Sequence, residues 1–157
     1  MSSMLKISEA AVLALHGMVF LAEDPDKLSS TKEIATRIRV SEAHLSKVLQ
    51  RLTKAGLVKS IRGPKGGFML AKTSSEISLL EVYESIEGTL VPSECLFGDP
   101  VYSTDECILG GLLGSIDRQV RDYLTGTKLN ELNCHGRCYE PPNQREQRVT
   151  AQTSEKV

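Results

Sequence analysis

Residues 30 to 72 constrain the fold more than any other stretch, because two short amphipathic helices, a turn and a glycine-rich hairpin follow one another there without a gap. Ser30-Thr31-Lys32-Glu33 fits a capping box, in which the hydroxyl accepts one orphan amide and the carboxylate three residues on accepts another. Ile34, Ala35 and Ile38 give the helix that starts there one apolar face. Arg39-Val40-Ser41 breaks it and supplies a second N-cap serine. In the next helix Leu45, Val48, Leu49 and Leu52 recur at the three- and four-residue spacing of a single buried stripe. Gly56 supplies the left-handed residue that closes it. Leu57 to Ile61 and Phe68 to Ala71 read as strands joined by Arg62-Gly63-Pro64-Lys65-Gly66-Gly67, whose glycines permit a tight turn and close backbone approach. This order predicts a winged helix-turn-helix, a unit whose main use is docking on duplex DNA.

The side chains left over by the buried stripe fit that use. Ala43, Lys47, Gln50 and Lys54 share the opposite face of the second helix, with Ser41 at its start and Ser46 and Arg51 flanking. Cations there reach phosphates, and amide and amine groups reach base edges in a major groove. Arg62 and Lys65 put charge on the hairpin tip, which suits the phosphate backbone or a minor groove. Between residues 31 and 72 ten Lys or Arg stand against two Glu, a net of +8. Residues 73 to 140 carry twelve acids against four bases, a net of −8, so the overall charge of −1 hides a polarised molecule. The local positive footprint, not the whole-chain balance, governs attraction to nucleic acid.

At 157 residues, with 40% hydrophobic residues, 4% aromatics and no Trp, the chain predicts one aliphatic, helix-rich domain. No secretory leader pattern and no apolar run of membrane-spanning length is present, so a cytoplasmic protein is expected. In a reducing compartment its four cysteines read as thiols, metal ligands or redox groups rather than structural disulfides.

A first helix is expected over about Ser8 to Ala22, with a stripe of Ile7, Ala11, Leu15, Met18 and Ala22. Leu13, Val12, Val19 and Phe20 make it apolar nearly all round, which calls for cover on two faces. Ser78-Leu79-Leu80-Glu81 is a second capping box, opening a helix through Ile86 that Gly88 ends. Ser103-Thr104-Asp105-Glu106 is a third, opening a long helix with Ile108, Leu109, Leu112, Leu113, Ile116, Val120, Tyr123 and Leu124 at helical spacing for about five turns. This stripe is read as a dimerisation helix, the alternative being a helix of the chain's own core. The expected class is mainly α with a small β-wing, a winged helix-turn-helix plus a long dimerisation helix. The polar tail after Cys138, with its Pro-Pro pair and no apolar period, reads as disordered.

The segments ISEAAVLALHGMVFLA, IATRIRVSEAHLSKVLQRLTKAGLVKSIRGPKGGFMLA, SLLEVYESIEG, CLFGDPV with a later Cys107, and VRDYLTGTKLNEL follow one another between roughly residues 4 and 132. In this order and spacing the chain resembles the BadM/Rrf-type winged-helix transcriptional regulators, the group of IscR, NsrR and CymR. The RGPKGG hairpin after LTKAGLV is the most specific part. The resemblance implies a homodimeric bacterial regulator that binds a pseudo-palindromic duplex and whose long helix crosses to its partner. It divides the chain into a DNA-binding domain over 1–90, a cysteine-bearing sensor loop over 91–104, a dimerisation helix and following segment over 105–133, and a cysteine-containing tail over 134–157.

The resemblance further implies that the loop holds an iron–sulphur cluster sensing redox state, nitric oxide or cluster supply. Cluster-binding members place three cysteines there, and Cys95 and Cys107 match the outer two. The middle one is absent, its place falling at Val101 and Tyr102, and Gly110 stands where one subgroup has histidine. His16 matches a first-helix position used across the dimer by another subgroup. Cys134 and Cys138, with three residues between them in Asn-Cys-His-Gly-Arg-Cys, offer two further thiolates, and zinc accepts the same donors, though less readily expected than the cluster. The alternatives stay open: Cys95 and Cys107 as small core residues, Cys134 with Cys138 as an oxidisable pair, His16 as a packed interface residue. A metal-independent regulator and a winged helix turned to protein binding are the other functional readings. No Cys-x-x-Cys, nucleotide loop or Ser/His/Asp arrangement supports an enzyme.

Overall fold

The structure, a computed structural model, describes residues 7–91, 109 and 111–132. Helix α1, Glu9–Glu23, starts at Ser8, whose hydroxyl oxygen accepts the Ala11 amide at 3.1 Å. Its buried face is Leu13, Ala14, Gly17, Met18 and Leu21, with Ala11 and Val19 beside them. The expected stripe lies at one edge of this face: Ala11 and Met18 are fully buried, Leu15 and Ala22 are partly covered, and Ile7 is 45% exposed. A helix apolar nearly all round carries no periodic signal to set its phase, so its neighbours set it. Gly17 packs toward Leu45 of the third helix, where a Cβ would stand in ordinary contact, 3.8 Å from its Cδ1.

Helices α2, Thr31–Ile38, and α3, Glu42–Lys54, form the helix-turn-helix. Ser30 accepts the Glu33 amide at 3.1 Å, but the expected reciprocal half of the box is missing. Glu33 turns its carboxylate to Lys27 instead, 2.5 Å from the ammonium, a partner outside the motif. Ser41 holds the N-cap position of α3 without a side-chain cap bond. Arg39, in the turn, adopts φ 58 and ψ 50, and the Val40 amide closes on the Ala35 carbonyl at 3.0 Å. A left-handed arginine costs roughly 1–2 kcal/mol that a glycine would not. At the far end of α3 Gly56 has φ 74, the Leu57 amide reaches the Leu52 carbonyl at 3.0 Å, and the Gly56 amide reaches Thr53 at 3.1 Å. Those two bonds make a Schellman motif.

Strands β1, Val58–Ile61, and β2, Gly67–Leu70, pair antiparallel with Val58 opposite Leu70 and Ile61 opposite Gly67. Ser29 adds a bridge to the far side of β2: its amide donates to the Phe68 carbonyl at 3.0 Å and its carbonyl accepts from Phe68 at 2.9 Å. A Cβ on Gly67 would stand 2.7 Å from the Ser29 carbonyl oxygen, and one on Gly66 would stand 2.1 Å from that of Ile61. Backbone approach therefore fixes both glycines of the wing.

Helix α4, Leu79–Glu87, carries the complete capping box, with Ser78 and Glu81 bonded in both directions. Helix α5, Leu112–Gly126, begins later than the spacing predicts, with Leu109 and Gly111 in turns ahead of it. The Ser103–Glu106 box and Ile108 lie outside the described residues. After α5 the chain returns to the start of α4: the Leu79 amide donates to Thr127 and the Leu129 amide to Ile77, both at 3.1 Å. Leu129 is fully buried in one core with Met18, Ile34, Leu45, Leu49 and Val82. No helix among the described residues is long and apolar enough to cross a membrane.

Partial burial pushes the Glu81 carboxyl up, but bonds from the Ser78 amide and hydroxyl and the charge of Lys72 at 3.5 Å hold it below its ordinary 4.5. A carboxyl depressed on folding contributes stability above its unfolded value, and that contribution is lost as pH falls through the folded one. Glu81→Gln is expected to unfold at lower urea than the parent near neutral pH and to converge with it as pH falls through the depressed folded value of the carboxyl. Ser78→Ala is expected to lose about 1 kcal/mol at neutral pH in the same titration.

Candidate nucleic-acid interface

Burial of Leu45, Val48, Leu49 and Leu52 fixes how α3 is rotated, and hence what it offers to solvent. Ala43, Lys47, Gln50 and Lys54 are all exposed along the opposite ridge. Ser41 is exposed at the helix start, and Ser46 is half-buried on the flank. Arg62 and Lys65 are exposed on the hairpin between β1 and β2. Lys47, Lys54, Arg62 and Lys65 have no ion pair or hydrogen bond among the described residues. Each guanidinium and ammonium is thus available to an outside anion.

Arg51 is exposed beside the ridge, as a flanking residue should be, but it is also engaged within the protein. Its Nη2 donates to the Ile86 carbonyl, one of the last acceptors of α4. A cation at a helix C-terminus is favoured both by the free carbonyl and by the helix dipole. His44, on the same flank of α3, lies 3.5 Å from Glu9 of α1. This flank is thus engaged by α4 and α1 although Arg51 stays exposed, while the ridge and the opposite flank carry the unengaged side chains. Arg51 was assigned to the interface from its helical position alone, and its acceptor, 35 residues away, leaves no local signature.

On that opposite flank a cleft of about 380 Å³ opens between the start of α2, the start of α3 and the wing. Ser30, Thr31 and Lys32 line one side, Glu42 another, and Ile61 and Arg62 the wing side. Thr31, Lys32, Ile61 and Glu42 are interface candidates that the helical face of α3 alone did not reveal. The N-cap serine was the available signal, since it places the first amides of α2 beside the hairpin. The ridge, the wing tip and the cleft between them and α2 expose mainly cationic side chains, Lys32, Lys47, Lys54, Arg62 and Lys65, against the one acid Glu42. That chemistry suits a phosphate backbone crossed by a helix that enters the major groove.

Of the expected metal ligands only His16 is among the described residues; Cys95, Cys107, Cys134 and Cys138 lie outside them. His16 is exposed on α1, its Nδ1 2.9 Å from the Val12 carbonyl. A carbonyl can only accept, so Nδ1 is the donor, and the tautomer that fits this contact has its lone pair on Nε2. That is the state in which an imidazole ligates a metal, with the other nitrogen oriented by a backbone carbonyl. Among the described residues no three His, Cys, Asp or Glu side chains gather as a metal site. The donor set as chemistry, thiolates with one imidazole, fits an iron–sulphur cluster or zinc.

Arg51→Ala is expected to lower stability by roughly 1.5–3 kcal/mol in urea unfolding, because the α4 carbonyl loses a charged donor. Its effect on duplex affinity, measured while the protein is folded, is expected to be smaller than that of Lys47→Ala.

Comparison with known proteins gives the surface its context. The model of the Rrf2 family, described as an iron-dependent transcriptional regulator, matches residues 7–135. Protein aau3 of Rhizobium meliloti (strain 1021) is 32% identical over 130 residues, 82% of this chain and 84% of that one. The HTH-type transcriptional regulator NsrR of Halalkalibacterium halodurans is 40% identical over 97 residues, 61% of this chain and 64% of its own. The structure of CymR (YrzC), the global cysteine regulator of B. subtilis, superposes with a TM-score of 0.70 at 32% identity, covering 82% of this chain and 95% of that one. A winged helix-turn-helix with a cationic reading ridge, matched along most of its length, makes this chain a member of the Rrf2 family of transcriptional regulators.

Proposed function

We propose that the chain acts as a homodimeric, sequence-specific regulator in the cytoplasm, each copy placing α3 in a major groove and its wing on the adjoining backbone. The observation that carries this reading is the coincidence of the unpaired cations Lys47, Lys54, Arg62 and Lys65 with the exposed ridge and the wing tip. The relatives support it as DNA-binding regulators in family and name. Dimerisation is supported by α5, which has no buried side chain and leaves Leu112 50% and Tyr123 61% exposed. A two-fold dimer would read half-sites about 34–36 Å apart.

In this reading the ridge specifies and the wing positions. Arg62→Ala and Lys65→Ala are expected to weaken binding to selected and random duplexes alike, and to make the salt dependence less steep by about one ion each. Lys47→Ala and Gln50→Ala are expected to change which bases are preferred. Titration of all four against both duplexes over a salt series tests the division; equal losses on the two duplexes for every variant would refute it.

The same reading gives the dimer a thiolate-held sensor. Cys95 and Cys107, completed by His16 of the partner subunit or by Cys134 and Cys138, would hold an iron–sulphur cluster, which supplies a redox-responsive charge when bound. Anaerobic purification is expected to yield a coloured protein with iron and acid-labile sulphide, the colour lost in Cys95→Ala. Stoichiometric zinc in a colourless protein would replace the cluster with a zinc site, and a colourless, metal-free protein would make the regulator metal-independent.

A further inference from the structure

We propose that Glu42 is a specificity-determining residue, whose carboxylate accepts a hydrogen bond from the exocyclic amino group of a cytosine and repels backbone phosphates at every other site. The proposal rests on the DNA-binding reading above and assigns to one residue a role that the cationic surface cannot supply.

Glu42 is the only acid on α3 and, among the described residues, the only acid lining the cleft between α2, α3 and the wing. It is exposed, and cations stand on both sides of it, Lys32 from α2 and Arg62 from the wing. Even so, its carboxylate has no ion pair or hydrogen bond among the described residues. Three acids nearby are engaged: Glu9 stands against His44, Glu33 is held by Lys27, and Glu81 by Ser78 and Lys72. Among the described residues that line this cleft, Glu42 is the one acid, and its acceptors are open.

Position and chemistry then narrow its use. The first turn of a recognition helix is the part that meets base edges, and Glu42 is the first residue of α3. A carboxylate has acceptors only, and in the major groove cytosine presents a donor, its N4 amino group. A phosphate in the same place would be repelled, so any register that offers no cytosine is penalised. Favourable recognition and built-in repulsion act together in a discriminating interface. A carboxylate in the first turn also suits the helix dipole, a role that aspartate would fill equally well. That equivalence separates the two roles.

The full-length protein, Glu42→Gln and Glu42→Asp would each be used to enrich duplexes from a randomised library, followed by titration on the wild-type-selected duplex and on random duplex. Glu42→Gln is expected to bind random duplex more tightly and the selected duplex about tenfold more weakly, with one cytosine per half-site no longer enriched. Glu42→Asp keeps the charge and the helix-end benefit but is one methylene shorter. It is expected to match the wild type on random duplex and to lose the cytosine. Retention of that cytosine by either variant, or equal tightening of Glu42→Gln on both duplexes, would overturn the assignment. Should Glu42→Gln fail to fold by circular dichroism, Glu42→Asp decides alone. A wild type that enriches a site unchanged in the variants refutes the role of Glu42 and leaves the regulator intact. A wild type that enriches nothing refutes the DNA reading itself, and the assignment with it.

Discussion

Four aliphatic side chains on one stripe of α3 hold the rest of the molecule in register. Leu45, Val48, Leu49 and Leu52 are each at most 2% exposed, and α1, α2, α4 and β1 all pack around this helix. Removing each from water contributes roughly 1.5–3 kcal/mol, so a turn of α3 by one residue would forfeit several such contributions together. The rotation of the helix is therefore not adjustable. The exposed ridge that reads outward is the geometric complement of the stripe that packs inward.

The wing is tied to this helix pair by backbone rather than by side chains. Ser29 pairs with Phe68 immediately before Ser30 caps α2, so the first turn of α2 and the second strand share one hydrogen-bonded junction. Gly66 and Gly67 are required there because a Cβ would collide with carbonyl oxygens of Ile61 and Ser29. A contact made on the wing and a contact made at the start of α2 are consequently held at a fixed spacing. A surface that reads a regular duplex needs that rigidity more than it needs area.

Local signals made most of this fold legible in the sequence. The stripe of α3, the Schellman glycine at position 56, the Ser78–Glu81 box and the RGPKGG hairpin each fall within a few residues, and each has its expected form. What the sequence left hidden involves partners far along the chain or a pattern with no phase. Glu33 looked like half of a box, but Lys27 outcompeted the Ser30 amide for its carboxylate. The bond from Arg51 to the end of α4 has a partner 35 residues away that no local pattern announces. The apolar residues of α1 could not say which side faces in, and the return of Leu129 into the core has no marker before the tertiary structure exists. At the interface the ridge was legible and the cleft was not, since the cleft joins three elements that only folding brings together.

The same distinction changes how the charge of the reading unit should be weighed. A net of +8 over residues 31 to 72 counts every cation equally, but a cation already held by the protein has less to exchange with a polyanion. Lys72 stands 3.5 Å from Glu81, and Arg51 is held by a helix end. Lys47, Lys54, Arg62 and Lys65 are held by nothing among the described residues. Counterion release on association is set by phosphates neutralised, so the open cations determine the steepness of salt dependence. Acids work in the opposite direction at the same surface. A fully cationic ridge would bind any duplex strongly and tell few apart, whereas one uncompensated carboxylate at the entry of α3 lowers affinity wherever its acceptors find no donor. Selectivity in a surface this small therefore depends on where its few negative atoms stand as much as on how many positive ones it has.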